Sequence, residues 1–247
     1  KQDRRKKASE AMQLLKEAQV ALARLVRDVN NSIRARVVLL PANSAGDNII
    51  FHAEGGDVVL PLLRQQKDGE ECLSLSDFVK PCGTDYVGAF AVTAGRGIEE
   101  IISGYQQTDD FKALLYQSLS DRLAEAAAEL LHARVRREVW GYAPDERIDR
   151  QRALRAQYRG IRPAAGYPSL PDQSAIFAIE KIVGFANVGI AVTPNGAMSP
   201  ASSVSGLMIA HPESRYFMIG AIAPDQRRDY AARRGITEEE LSKWLPK

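Results

Sequence analysis

The chain has 247 residues, of which 45% are hydrophobic and 26% charged, the composition of a soluble globular protein with a sizeable core. Lys plus Arg is 33 and Asp plus Glu is 31, so the net charge is +2 and nothing in the balance calls for nucleic acid or another polyanionic partner. No apolar run approaches the ~18 residues of a membrane helix, and the basic start is not followed by the apolar segment of a signal peptide.

The basic cluster Lys1, Arg4, Arg5, Lys6 and Lys7 reads as the solvated first turns of a helix or as a cut linker. There is no initiator Met and the chain opens in mid-helix pattern, as expected of a fragment of a longer polypeptide. Ala8 to Val29 is predicted helical, with Ala11, Leu14, Leu15, Ala18, Leu22, Leu25, Val26 and Val29 along one stripe. Arg34–Pro41 is a predicted strand that stops at its proline. The turn-forming "NSAGDN" separates it from a second strand, Ile49 to Ala53. A glycine pair, Gly55-Gly56, leads to the strand-like "DVVLPLL", so the early region is expected to be antiparallel β with local connections. "SLSDFV" is a short helix or turn. Asp85–Gly95, rich in small residues, is expected to be a central strand.

"IEEIISGY" starts a helix. Asp109 to Val139 is the longest periodic segment, with Phe111, Leu114, Leu115, Leu119, Leu123, Ala126, Leu130, Leu131 and Val135 at helical spacing and an Ala-rich centre of high helix propensity. A polar loop and a basic helix follow, up to Gly160. "PDQSAIFAIEKIVG" is a helix led by Pro171 and Asp172 and ended by Gly184. Short strands are expected near Ile190–Thr193, Val204–Ala210 and Tyr216–Ile222, with His211 to Ser214 as a hairpin connection. Two helices close the chain, one begun by Pro224 and Asp225, the other capped by Thr237.

Several chemistries lack a signature. There is no Walker loop, and "TAGRGIEE" misses the glycine spacing of a dinucleotide fingerprint. No His, Cys or acidic group has metal-ligand spacing, and the scattered His52, His132 and His211 read as structural. "SSVSG" lacks the G-x-S-x-G frame of a serine nucleophile and reads as small-residue strand packing. Cys72 and Cys82 offer neither metal spacing nor a disulfide framework, which points to a reducing cytoplasmic location. No catalytic residue and no metal ligand is assigned.

"GIRPAAGYP", Gly160 to Pro168, is the exception. Arg162 and Tyr167 both precede prolines, so both are biased toward extended backbone. Ala164, Ala165 and Gly166 leave the backbone between them open to close approach. An arginine fork matches a carboxylate and a tyrosine ring packs on a flat or cationic group. The pair suits a ligand with a carboxylate at one end and a heteroaromatic group at the other. On the residues alone, a proline-rich connector whose arginine makes a structural salt bridge is the preferred reading.

"YRGIRPAAGYPSLPDQ" closely resembles the signature loop of the activation, or reactivation, domain of cobalamin-dependent methionine synthase. "LLPANSAGDNI", "LSLSDFV", "DYVGAFAVTAG", "LSDRLAEAAAELLHARVRREVWGYAPDE", "GAMSPASSVSGLMIAHPESRYFMIG" and "DQRRDYAARRGITEEELSKWL" are similar to the same family in the same order, over nearly the whole chain. The resemblance implies one activation domain over residues 1–247, with an α+β, C-shaped fold in which helices flank a curved antiparallel sheet. It implies that the domain binds S-adenosylmethionine and docks on a cobalamin-binding domain. Cobalamin belongs to that partner, not to this chain. Flavodoxin or a flavoprotein reductase is the implied electron donor for returning cob(II)alamin to methylcobalamin. By position in the motifs, the implied ligand contacts are Glu125, Arg162, the backbone at Ala164 and Gly166, Tyr167 and Tyr216. On residue pattern alone, Glu125 reads instead as a partner of Arg122 and Glu129 on a solvated helix face, and Tyr216 as strand packing.

The sequence departs from the family in three places. The family domain begins well upstream of Lys1, and that stretch supplies an aspartate to the ligand site that no residue here replaces by motif. Asp172 to Ser199 is more compact than in some relatives, and the tail after "KWL" is cut to Pro246-Lys247. The alternative expectation is a stand-alone interaction module that docks on a separate cobalamin protein and binds the nucleoside weakly or not at all.

Overall fold

The computed structural model describes residues 2–28 and 32–245; Lys1, Val29 and the Pro246-Lys247 end lie outside these. The first strand, β1 (Arg34–Ser44), runs on through Pro41 instead of ending there. Pro41 sits where the strand changes partner. Residues Arg34 to Pro41 pair antiparallel with β4 (Tyr86–Thr93), and Ala42 to Ser44 pair with β2 (Asn48–Phe51). A residue without an N–H is tolerated at such a break in the ladder. Strand β3 (Val58–Pro61) pairs with β2. The turn-forming stretch supplies a reciprocal pair of bonds between Ala45 and Asn48, at 3.0 and 3.2 Å.

Strand β4 is the centre of the sheet, flanked by β1 and by β7 (Ser203–Met208), giving the order β3-β2-β1-β4-β7. The sheet is antiparallel throughout and curls into a half-barrel. Strands β5 (Ala191–Val192) and β6 (Met198–Ser199) form a separate two-stranded ribbon. All of β4 after Tyr86 is buried because both faces are covered. On one face Val87, Ala89 and Ala91 join Ile176 and Ile179 of α5 (Ala175–Val183). On the other, Phe90 and Val92 meet Ala128 of α3 (Asp110–Arg134) and Val135. Period-two alternation thus supplies two cores from one strand, and small residues let the layers approach.

The remaining helices are α1 (Gln2–Asp28), α2 (Arg96–Gln106), α4 (Arg150–Leu154), α6 (Pro224–Arg234) and α7 (Glu238–Leu241). The caps follow local chemistry. Asp109 accepts from Lys112 N–H, Asp149 from Arg152 N–H and Thr237 from Glu240 N–H. Ser74 and Asp77 form a capping box on the 3₁₀ turn Leu75–Phe78, the "SLSDFV" stretch. Gly184 ends α5 with φ +66°.

Two expectations are corrected. The predicted stripes face the core only in part: Leu115, Leu119, Leu123 and Leu131 are half-buried against it and Val135 is buried, while other members point outward. On α1, Leu14, Leu15 and Val26 are exposed, and among the described side chains Ala21 and Leu25 are the buried ones. On α3, Phe111, Leu114 and Leu130 are exposed, and the buried face is Ala113, Tyr116, Ser120, Ala124, Ala128 and His132. Small side chains at i,i+4 bring this helix close to the sheet, an advantage that leucines would forfeit. Tyr216–Ile222 is not a strand, so His211 to Ser214 is a turn and not a hairpin connection. Its neighbour is the proline-bearing loop, which cannot sustain a ladder. Single bonds replace one: Ile219 N–H to Pro168 O at 3.0 Å, Phe217 N–H to Ser169 Oγ at 3.2 Å and Gln65 Nε2 to Met218 O at 2.8 Å. On the charged helix α6, Arg233 and Arg234 turn inward, Arg234 onto the buried Asp172.

Candidate functional site

The loop from Gly160 to Pro168 lies along the free edge of β7 as a discontinuous sixth strand. Ile161 and Ile209 exchange bonds at 2.9 and 3.0 Å, Leu207 N–H donates to Pro163 O at 2.9 Å, and Ala165 N–H donates to Ser205 O at 3.1 Å. Seating requires Gly206. A Cβ there would collide with Pro163 O and come within 2.7 Å of Ala164 Cα. The small-residue stretch "SSVSG" is therefore packing, as its pattern indicates, and its glycine serves the loop. At the far end Gly166, with φ +82°, donates its N–H to Leu170 O at 2.9 Å and turns the chain toward Asp172.

Helix α3 faces this loop with two glutamates one turn apart. Tyr167 Oη donates to Glu125 Oε1 at 2.9 Å, and the Arg162 guanidinium meets Glu129, Nη2 to Oε2, at 3.5 Å. From the other side Tyr216 reaches over, and its hydroxyl accepts the Arg162 backbone N–H at 2.9 Å. Between these groups lies a cleft of about 500 Å³, lined by Glu125, Arg162, Ala164, Tyr167 and Tyr216 together with Phe217 and Met218. That volume suits a small organic ligand. Tyr167, Tyr216 and Met218 are exposed at its rim, a cluster of apolar surface at a concave site.

Polar capacity remains in the cleft. Arg162 Nε is buried without a partner and the pair with Glu129, at 3.5 Å, is a loose one. Ala164 N–H meets no hydrogen-bonding group among the described residues. Glu125 uses one oxygen on Tyr167. Burial, then the bond to Glu125, raises the Tyr167 phenol above its ordinary range, so it stays protonated as a donor.

Behind Arg162 sits a polar cluster that residue pattern alone does not reveal. α3 continues into a π-helical turn, Val135–Val139, which carries Arg136 into the interior at 1% exposure. Arg136 Nε donates to Glu146 at 2.6 Å, and its guanidinium lies 4.1 Å from the centre of the Tyr158 ring. His132 is fully buried and edge-on to Tyr158. Burial, then the charges of Arg136 and Arg162, push its pKa down to about 2, so the imidazole is neutral. The Tyr158 phenol is raised, chiefly by burial, then by Tyr216 and Glu129. A helix that switches to π winding beside such a cluster is common at functional sites.

Five of the six residues implied by the family motifs line this cleft. Gly166 does not; it shapes the loop beside it. Glu129, Tyr158, Met218 and Gly206 carry no isolated signal, although Glu129 stands at i,i+4 to Glu125 and Tyr158 opens the loop motif. A larger cleft of about 640 Å³, lined by Lys181, Arg233 and Arg234, is less suited to an anion. Arg233 is spent on Asp229, Asp47 O and Leu62 O, and Arg234 on Asp172 and Ser174. Among the described residues no group of three or more His, Cys, Asp or Glu is placed to hold a metal, and no helix is long and apolar enough to cross a membrane.

A curled antiparallel sheet whose free edge carries a proline-framed arginine loop, closed by a long helix, defines the class as an α+β half-barrel domain with a cleft at its sheet edge. The chain belongs to the family described as the vitamin B12-dependent methionine synthase activation domain, whose sequence model matches residues 1–235. It is similar to a solved structure described as the MetH reactivation domain bound to AdoHcy. Identity is 38% over 96% of this chain and 76% of the other, with a TM-score of 0.86.

Proposed function

We propose that the cleft binds S-adenosylmethionine, with Arg162 on its carboxylate, and that the domain serves the reductive remethylation of cob(II)alamin to methylcobalamin on a partner domain. The observation that carries this reading is the Arg162 guanidinium, incompletely paired and set between Tyr167 and Tyr216 at one cleft. Support comes from the similar MetH domain, whose description places S-adenosylhomocysteine on it.

The residues fit such a ligand. A second carboxylate gives the Arg162 fork the close partner that Glu129, at 3.5 Å, does not. Ala164 N–H offers a donor to a polar edge of the ligand, and Gly166 shapes the loop that presents it. Tyr167 and Tyr216 offer aromatic faces to a nucleoside or a sulfonium, and the oxygen of Glu125 not used by Tyr167 offers a negative charge to an ammonium. S-adenosylmethionine, when bound, supplies the methyl group. The chain's own task is to hold and orient it, with no acid, base or nucleophile of its own assigned. The cobalamin-binding domain as docking partner, and flavodoxin or a flavoprotein reductase as electron donor, belong to the same proposal.

Isothermal titration with S-adenosylmethionine tests it. Saturable one-to-one binding that is lost with adenosine alone supports the reading. No binding by the wild-type chain overturns it and favours a docking module without a nucleoside site.

A further inference from the structure

Both ends of Arg162 touch one cluster of polar groups. Its backbone N–H donates to the Tyr216 hydroxyl at 2.9 Å. Tyr158 Oη donates to Glu129 Oε2 at 3.5 Å, and that same oxygen faces Arg162 Nη2, also at 3.5 Å. Tyr158 thus steadies the carboxylate that faces the guanidinium. The cluster has a rigid base, because the Tyr158 ring is clamped between Arg136 at 4.1 Å and the edge of His132. Arg136 is itself fixed by Glu146.

We propose that Glu129 and Tyr158 are the positioning residues of Arg162: Glu129 orients its guanidinium, Tyr158 holds the Glu129 carboxylate in place, and together they make the site selective for a ligand that carries a carboxylate. The two glutamates of α3 thereby divide the loop between them, Glu125 holding the tyrosine and Glu129 the arginine. A loose pair suits this duty. Contact at 3.5 Å orients the fork while leaving its hydrogen-bonding capacity to an incoming anion, whereas a tight bidentate pair would consume it. The inference rests on the proposed ligand class.

The test compares S-adenosylmethionine with decarboxylated S-adenosylmethionine, which differ only in the carboxylate, on the wild-type chain, Glu129→Gln and Tyr158→Phe. Glu129→Gln is expected to weaken S-adenosylmethionine about tenfold and the decarboxylated ligand hardly at all. Tyr158→Phe keeps the ring on Arg136 and is expected to show the same selectivity at about threefold. An equal loss for both ligands overturns the proposal, as does no loss. Tighter binding by Glu129→Gln also overturns it, because it would make Glu129 a competitor. A second readout needs no ligand. The rate at which phenylglyoxal modifies Arg162, followed by peptide mass spectrometry with the exposed Arg215 as internal control, is expected to rise severalfold in Glu129→Gln. If the wild type binds neither ligand, the functional reading falls. The modification rate still decides the positioning role, and an unchanged rate removes it.

Discussion

Two ion pairs flank the same loop and differ in every respect that matters. At its C-terminal end Asp172, 1% exposed, takes Arg234 at 2.9 Å, the Tyr230 hydroxyl at 2.7 Å and the Ser174 N–H at 2.8 Å. At its N-terminal end Arg162 meets Glu129 only at 3.5 Å, and Arg162 Nε, Glu129 Oε1, His132 Nδ1 and Arg136 Nη1 are all buried without a partner. The first pair is a closed account of donors and acceptors, the mark of an anchor. The second keeps unsatisfied polar atoms at a cleft, where a native structure holds them only for a reason. Anchor and cleft are thus separated along the loop: Asp172 fixes where it ends, and Arg162 faces the cleft.

The comparison breaks first on stability. Asp172→Ala strands the Arg234 guanidinium and the Tyr230 hydroxyl and is expected to cost about 3–5 kcal/mol in urea unfolding. The fraction that stays folded should keep its preference for S-adenosylmethionine over the decarboxylated ligand. Arg162→Ala should do the reverse. Its expected loss is about 1.5–3 kcal/mol of ligand affinity by titration, with no more than about 1 kcal/mol of stability. If the two substitutions have the same profile, the division into anchor and site fails.

A pH series sharpens the contrast. His132 is held neutral in the fold, with a pKa near 2, and has an ordinary value of 6.5 when unfolded. The unfolded chain therefore takes up a proton that the folded chain refuses. The contribution is fully present above pH 6.5 and is lost as the pH falls. Between pH 6.5 and 5 the expected loss is about 2 kcal/mol, which His132→Gln should abolish. The smallest effect belongs to Tyr167→Phe. Losing the hydroxyl bond to Glu125 should weaken binding by about 0.5–1.5 kcal/mol and leave the melting temperature in place.

Much of the fold can be read from the chain because its signals are local. Thr237 caps a helix, Gly184 ends one, and the run of small and apolar residues in "DYVGAFAVTAG" marks a central strand. The loop's stiffness is equally legible, since prolines after Arg162 and Tyr167 act on their nearest neighbours. What is not legible depends on tertiary approach. Ala124 and Ala128 face the sheet in place of the leucines because the gap there is narrow. Tyr216–Ile222 has strand-like residues but lies beside a proline-bearing loop. Glu129 and Tyr158 are ordinary residues until α3, its π turn and the loop meet, and the pairing of Gly206 with Pro163 and Ala164 spans some forty positions of sequence.

The most direct test of the central claim is a crystal structure of this chain with S-adenosylhomocysteine. The ligand is expected in the cleft between Tyr167 and Tyr216, with its carboxylate about 2.7–2.9 Å from the Arg162 guanidinium. A ligand seated elsewhere, for example against Lys181 in the larger cleft, or one whose carboxylate turns away from Arg162, would contradict it.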